Sequence, residues 1–188
     1  SNLSVRLAKR FGGEIISADS RQVYKSLNIG TGKITKQKMR GIPHHLLDVA
    51  DPKKQFSAAQ YKTLATNSLR YIVTKSKLPI VVGGTGLYID ALAGTVSFPD
   101  VPPNPLLRKK LAEKSASELF KILKKKDPKR ARTIDPYNKV RLIRALEIIN
   151  TFGHVPMLTP SVNMGWKFVF IGLKPANLDK RIYKRLIK

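Results

Sequence analysis

Two short stretches of this sequence carry residue types that could do chemistry. Ser17-Ala18-Asp19-Ser20-Arg21-Gln22-Val23-Tyr24 sets a carboxylate and a hydroxyl just after the apolar residues Ile15 and Ile16. Gly83-Gly84-Thr85-Gly86 follows the apolar run Ile80-Val81-Val82. Small residues there let backbone N–H groups approach an anion, Thr85 adds a hydroxyl, and a helix N-terminus would favour phosphate. Each stretch also has a plainer reading. Asp19 could be a cap or a loop acid, and the glycines an ordinary strand-to-helix turn. What links the two is position: ligands of an open parallel sheet bind at the carboxyl ends of its strands, and both stretches directly follow strand-like runs.

Other side chains are weaker candidates. Arg141 and Arg144 stand three apart, so on a helix they share a face, with Lys139 before them and Glu147 one turn beyond. They could clamp a phosphate or lie on a solvated face. Arg108 follows a proline-rich stretch and is equally open between a binding and a surface role. His44-His45 invites a metal check, but adjacent residues on a loop rarely chelate together, His154 is distant and there is no cysteine. A hydrogen-bonded histidine pair is expected instead. Ser1 directly precedes a helix that a strand follows, the place of the Ser/Thr in a phosphate-binding Gly-Lys-Ser/Thr loop, whose glycines and lysine would lie before residue 1.

The elements that must position these residues follow from periodicity. Leu3, Leu7, Ala8 and Phe11 recur at helical spacing and Gly12-Gly13 ends that helix. Residues 14–17 read as a short buried strand, and residues 20–52 as loop-rich. Ser57-Ala58-Ala59-Gln60 is a capping box, followed by Tyr61, Leu64, Ala65, Leu69, Ile72 and Val73 on one face. Pro79 opens the second apolar strand, and a helix is expected over about 85–92. Continuous rather than alternating apolar runs point to a parallel sheet covered on both faces. After Phe98 the character changes: Pro99, Pro102, Pro103 and Pro105 form a stiff linker into basic helices over 106–126, 128–133 and about 137–152, the last stopped by Gly153. Residues 166–173, Trp-Lys-Phe-Val-Phe-Ile-Gly-Leu, are expected to return to the sheet, and 179–188 to begin another basic helix.

Composition bounds the function. The 188 residues include 36 Lys+Arg against 12 Asp+Glu, a formal net charge of +24, which calls for a polyanionic partner; nucleic acid leads. With 42% apolar residues the chain can bury a core. The absence of cysteine excludes disulfide, thiol and Cys-ligated metal chemistry. No run is long enough to span a membrane and no signal peptide is legible, so a cytoplasmic protein with no membrane association is expected.

Several segments together resemble one family. Ile16-Ser17-Ala18-Asp19-Ser20-Arg21-Gln22-Val23-Tyr24-Lys25 and Ile29-Gly30-Thr31-Gly32-Lys33 match its Asp-Ser-x-x-x-Tyr and Ile-Gly-Thr-x-Lys elements. Pro43-His44-His45-Leu46-Leu47-Asp48, Phe56-Ser57-Ala58, Val82-Gly83-Gly84-Thr85-Gly86-Leu87-Tyr88 and Arg141-Leu142-Ile143-Arg144-Ala145-Leu146-Glu147 follow in register. In that order they resemble the tRNA dimethylallyltransferase (tRNA isopentenyl-diphosphate transferase) family over nearly the whole chain.

The resemblance implies an α/β fold: a P-loop NTPase-like parallel-sheet core over 1–98 and 165–188, with an all-helical tRNA-binding insertion over 99–164. It implies a chain truncated at both ends and so inactive alone. The implied reaction moves a dimethylallyl group from dimethylallyl diphosphate to the exocyclic amine of the adenosine 3′ to the anticodon. The resemblance assigns Asp19 as general base, Thr85 to the diphosphate and target nucleotide, Gly83 and Gly84 to the diphosphate, and Ser1 to the diphosphate and Mg²⁺. It assigns Asp19, Ser20, Arg21, Gln22, Thr85, Arg108, Val140, Arg141, Leu142, Ile143 and Arg144 to contacts with the tRNA anticodon stem-loop. A monomer is expected. The rivals are an adenylate isopentenyltransferase acting on free AMP, ADP or ATP, a small-molecule P-loop kinase, and a non-catalytic RNA-binding protein.

Overall fold

The computed structural model describes residues 2–157, 165–174 and 176–187. Helix α1 (Asn2–Phe11) leads into strand β1 (Glu14–Ser17), whose four residues are all buried. A loop carrying the short helix α2 (Lys36–Met39) reaches β2 (His44–His45); α3 (Ala58–Thr74), β3 (Pro79–Val82) and α4 (Gly86–Ala93) follow. The three strands are parallel in the order β2-β1-β3, with Ile15 opposite His44 on one side and Ile80 on the other. β1 is central and buried on both faces, which is why its apolar residues run on without alternation. β3 is only half-buried, because it is an edge strand among the described residues.

Helix α3 starts where the sequence places it. Ser57 Oγ accepts from Gln60 N at 3.2 Å, and Ser57 N donates to Gln60 Oε1 at 2.8 Å, closing the capping box. Tyr61, Ala65, Leu69 and Ile72 are buried on one face, whereas Val73 is exposed. Together with Ile16, Val23, Tyr88 and Leu92 they form the core over the sheet, where the Tyr61 and Tyr88 rings stack at 4.0 Å. On α1 the buried residues are Ser4, Val5 and Ala8, so the Leu3/Phe11 side of the expected apolar face is turned to solvent.

The amino end of the sheet holds a buried charge cluster. Glu14, 2% exposed, accepts from Lys77 Nζ at 2.6 Å and sits 2.7 Å from His45 Nε2. The lysine bond holds the Glu14 carboxyl below its ordinary range despite burial. His44 Nδ1 lies 2.8 Å from the Ile42 carbonyl, so both histidines have the hydrogen-bonding role expected of them. Among the described residues no group of three or more His, Asp or Glu could hold a metal.

Beyond the prolines the chain builds a second, wholly helical core. Helices α5 (Pro105–Ala112), α6 (Ala116–Lys126), α7 (Pro128–Ala131) and α8 (Lys139–Phe152) bury Leu111, Leu119, Leu123, Ile134, Leu142 and Ile149 together. Asn104, Ser115, Asp127 and Asn138 cap the four N-termini through their side chains. Gly153 closes α8 at φ 77°, a conformation that costs any other residue a Cβ clash.

One expectation fails outright. Residues 166–173 form no strand and join no ladder of the sheet. Trp166 and Phe168 pack against the sheet-side core, while Val169, Phe170 and Ile171 are exposed. An apolar run specifies burial, but a strand also needs a neighbour's free backbone edge, which this segment does not engage. Helix α9 (Leu178–Leu186) follows, and no helix among the described residues is long and apolar enough to cross a membrane.

Candidate active site and basic helical face

The two chemically marked stretches meet at the carboxyl end of the sheet. Parallel pairing of β1 and β3 sets Ser17 beside Val82, so Asp19 and Gly83 leave adjacent strands in the same direction. Three hydrogen bonds tie the exits together: Ala18 N to Val82 O at 2.8 Å, Thr85 N to Ala18 O at 3.2 Å, and Ser20 N to Thr85 Oγ1 at 2.9 Å. Thr85 stands at the N-cap of α4 but does not cap it with its side chain; the hydroxyl instead crosses to Ser20, donating to Ser20 Oγ at 3.2 Å. Gly83 is required by close approach, since a Cβ there would lie 2.8 Å from Ala18 Cα and closer still to its carbonyl. Gly84 and Gly86 are different: a Cβ at either meets nothing within 4 Å, leaving open space over the turn.

The Asp19 carboxylate holds the loop that follows it. Its Oδ1 accepts from Arg21 N at 2.8 Å and Gln22 N at 3.3 Å, and Oδ2 accepts from Gln22 Nε2 at 3.2 Å. Those bonds fix the carboxylate at the rim of an open cleft of about 550 Å³, and Asp19 is the only carboxylate among the described residues that line it. Gly83, Gln22, Ser17, Thr31, Lys33 and Lys38 also line it, and Leu173 closes part of its wall. A carboxylate, lysines and a glycine turn around one cleft can bind an anionic group and take a proton beside it.

Lys33 and Lys38 were given no role by spacing. Lys33 Nζ donates to the Tyr24 carbonyl and to Asp48 Oδ1, both at 2.6 Å, pinning the loop after β1 to the loop after β2. Its occurrence in an Ile-Gly-Thr-Gly-Lys run was the signal available, but only the fold brings Asp48 to it. Ser1 lies outside the described residues. Asn2 and Ser4, at the start of α1, line the cleft.

The arginine candidates separate. Arg108 meets Glu147 through two bonds, Nε to Oε1 at 2.8 Å and Nη2 to Oε2 at 2.9 Å. Arg144 Nη1 donates to Glu147 Oε2 at 2.7 Å, and Nη2 donates to the Val101 carbonyl at 3.0 Å. Despite burial, bonds from Arg108, Asn104 N and Arg144 bring the Glu147 carboxyl down to about 2. The two arginines are thus not free surface cations, though each keeps about a third of its side chain exposed (34% and 35%). Val140 and Arg141 are exposed at the start of α8, and Ile143 is half-buried. Leu142 is corrected: its side chain is fully buried in the helical core and has no surface to offer a ligand. The exposed lysines 109, 110, 121, 124–126 and 129 make this unit strongly basic.

The chain is similar to known proteins. Residues 22–188 match the family model described as IPP transferase. The tRNA dimethylallyltransferase of Anoxybacillus flavithermus is 49% identical over 153 residues, 81% of this chain and 49% of that protein. That of Bacillus subtilis is 45% identical over 157 residues, 81% of this chain and 50% of that protein. Among solved structures, a eukaryotic dimethylallyltransferase described as acting on tRNA superposes with a TM-score of 0.78 at 29% identity, over 98% of this chain and 48% of that one. The chain spans about half the length of the curated relatives it matches. With a family match over 167 residues (22 to 188 inclusive), the chain belongs to the IPP transferase family.

Proposed function

We propose that the protein carrying this chain transfers a dimethylallyl group from dimethylallyl diphosphate to the exocyclic amine of the adenosine 3′ to the anticodon in tRNA. The observation that carries this is the joining of the two strand exits, with Ser20 N bonded to Thr85 Oγ1, which sets the Asp19 carboxylate and Gly83 on one cleft. The names of the relatives and the basic helical unit in the same chain support it.

The chemistry suits these residues. An adenine amine is too weak an acid for a carboxylate to deprotonate beforehand. Asp19 takes the proton as the C–N bond forms and the nitrogen becomes cationic, which is general-base work in the transition state. The departing diphosphate develops charge over the Gly83-Gly84 turn, which is open above Gly84, while Thr85 N and Oγ1 are bonded to Ala18 O and Ser20 and hold the turn in place. With one carboxylate at the cleft, the described residues offer no protein cage for Mg²⁺; they fit an ion brought on the diphosphate with its waters, near Asp19 and the start of α1. Such an ion would neutralise leaving-group charge. The target base must leave its stack to reach the cleft, which favours a loop nucleotide over a duplex one.

The test uses the protein carrying this chain at the full length of its relatives, with labelled dimethylallyl diphosphate and Mg²⁺. Unmodified tRNA is offered in one reaction and AMP or ATP in another. Label on tRNA, lost in Asp19→Ala, is the expected result. Label on the free nucleotide instead would move the protein to the adenylate isopentenyltransferase reading. RNA binding without transfer, indifferent to Asp19→Ala, would leave a binding protein.

A further inference from the structure

We propose that Glu147 is a positioning residue for RNA: its buried carboxylate aims Arg108 and Arg144 as one fixed pair toward the phosphate backbone of a folded RNA. The proposal rests on the reading of this protein as acting on tRNA.

The end of the proline linker and α5 converge on Glu147, joined there by Arg144 from its own helix. Its Oε1 accepts from Asn104 N at 2.7 Å and Arg108 Nε at 2.8 Å; its Oε2 accepts from Arg108 Nη2 at 2.9 Å and Arg144 Nη1 at 2.7 Å. The proline linker, α5 and α8 are therefore locked to one carboxylate whose acceptor sites are filled. Arg144 adds a second tie to the linker through the Val101 carbonyl at 3.0 Å. Glu147 is 1% exposed, whereas about a third of each arginine side chain is exposed. Two cations against one anion leave the cluster net positive, and the buried member is the acid. That positive charge is held in a geometry the side chains cannot change without breaking the cluster. Arg141, three residues before Arg144 on the same helix, extends the positive face.

A purely structural ion cluster would hold the linker and do nothing for recognition. The two roles differ in what they do to selectivity between folded and unfolded RNA. Freely moving arginines neutralise phosphates on any strand, because that contribution depends on charge and not on direction. Arginines held at a fixed spacing favour the RNA whose phosphates match it.

The experiment measures fluorescence anisotropy with a labelled anticodon stem-loop hairpin and a linear RNA of the same composition. It uses the 188-residue chain and the protein at the full length of its relatives. In Glu147→Gln the carboxylate is lost, net charge rises by one, and linear RNA binds as well or better. The hairpin-to-linear preference is expected to fall about tenfold, the size of one lost charge-assisted contact. Melting curves establish that the variant is folded at the assay temperature. If it is not, Arg144→Lys keeps the charge but cannot bridge Val101 and Glu147 with one planar fork, and a fall of about threefold is expected. An unchanged preference in whichever variant is folded overturns the proposal, as does hairpin and linear RNA tightening together. A wild-type protein that shows no hairpin preference overturns the tRNA reading itself. That result is seen without any substitution, so the two failures are distinct.

Discussion

Gly83→Ala tests whether the two strand exits form one unit. The added Cβ would fall 2.8 Å from Ala18 Cα and nearer to its carbonyl, with backbone and not a flexible side chain in the way. Real Cβ atoms essentially never approach a heavy atom within 3.0 Å, so β1 and β3 must separate at their carboxyl ends. That movement strains the Ala18 N to Val82 O bond and the Thr85 N to Ala18 O bond. Overpacking costs about 1–3 kcal/mol and each of the two weakened bonds about 1 kcal/mol, so a total of about 3–5 kcal/mol is expected. For a chain of this size that lowers the melting temperature by about 6–20 °C. Gly84→Ala is the control. Its Cβ meets nothing, so stability should hold within about 0.5 kcal/mol, while diphosphate binding weakens if the ligand occupies that open space. Thermal and urea denaturation of both variants, with binding of dimethylallyl diphosphate, read the two effects separately. Equal stability of Gly83→Ala and wild type would refute the claim that Ala18 and Gly83 are in obligatory close approach.

Two further variants probe the same logic. Asp19→Asn keeps an oxygen for the Arg21 and Gln22 amides but cannot accept a proton, so prenyl transfer should fall by about 10²–10⁴ with an unchanged melting temperature; retained transfer would remove Asp19 from the chemistry. Glu147, with its carboxyl lowered from 4.5 to about 2, stabilises the fold fully above pH 4.5 and loses that contribution as pH falls toward 2. The shift corresponds to about 3 kcal/mol, so melting of wild type should decline through that window by clearly more than melting of Glu147→Gln. Parallel curves for the two proteins would count against it.

The two cores explain how one chain can hold both an open cleft and a strongly basic helical surface. The sheet-side core carries the stack of Tyr61 on α3 against Tyr88 on α4, the helix whose N-cap is Thr85. The helical core buries leucines and isoleucines on the inner faces of α5, α6 and α8, which leaves most of the lysines outward. The Glu147 cluster joins the linker to the helices by ionic hydrogen bonds.

Local signals place most of the elements. The cap at Ser57, the stop at Gly153 and the runs at 14–17 and 79–82 are short-range properties, set by backbone hydrogen bonding and side-chain period within a few residues, whereas the single helix expected over 106–126 breaks after Ala112 and restarts at Ala116 under a Ser115 cap. The carboxyl-end location of Asp19 and Gly83 also followed, because parallel strands must exit the same way. Other features needed the third dimension. Residues 166–173 have the composition of a strand, yet without a partner edge they pack only through Trp166 and Phe168. Lys33 finds Asp48 fifteen residues away, and Arg108 finds Glu147 across thirty-nine. No period or spacing encodes such pairs. Leu142 and Arg144 lie in one motif two residues apart, but helical rotation buries the first and leaves the second at the surface. The sequence determined which residues could do the chemistry and where most helices and strands begin. The tertiary structure decided which charges are committed to one another, because that depends on contacts between segments whose separation along the chain carries no local signature.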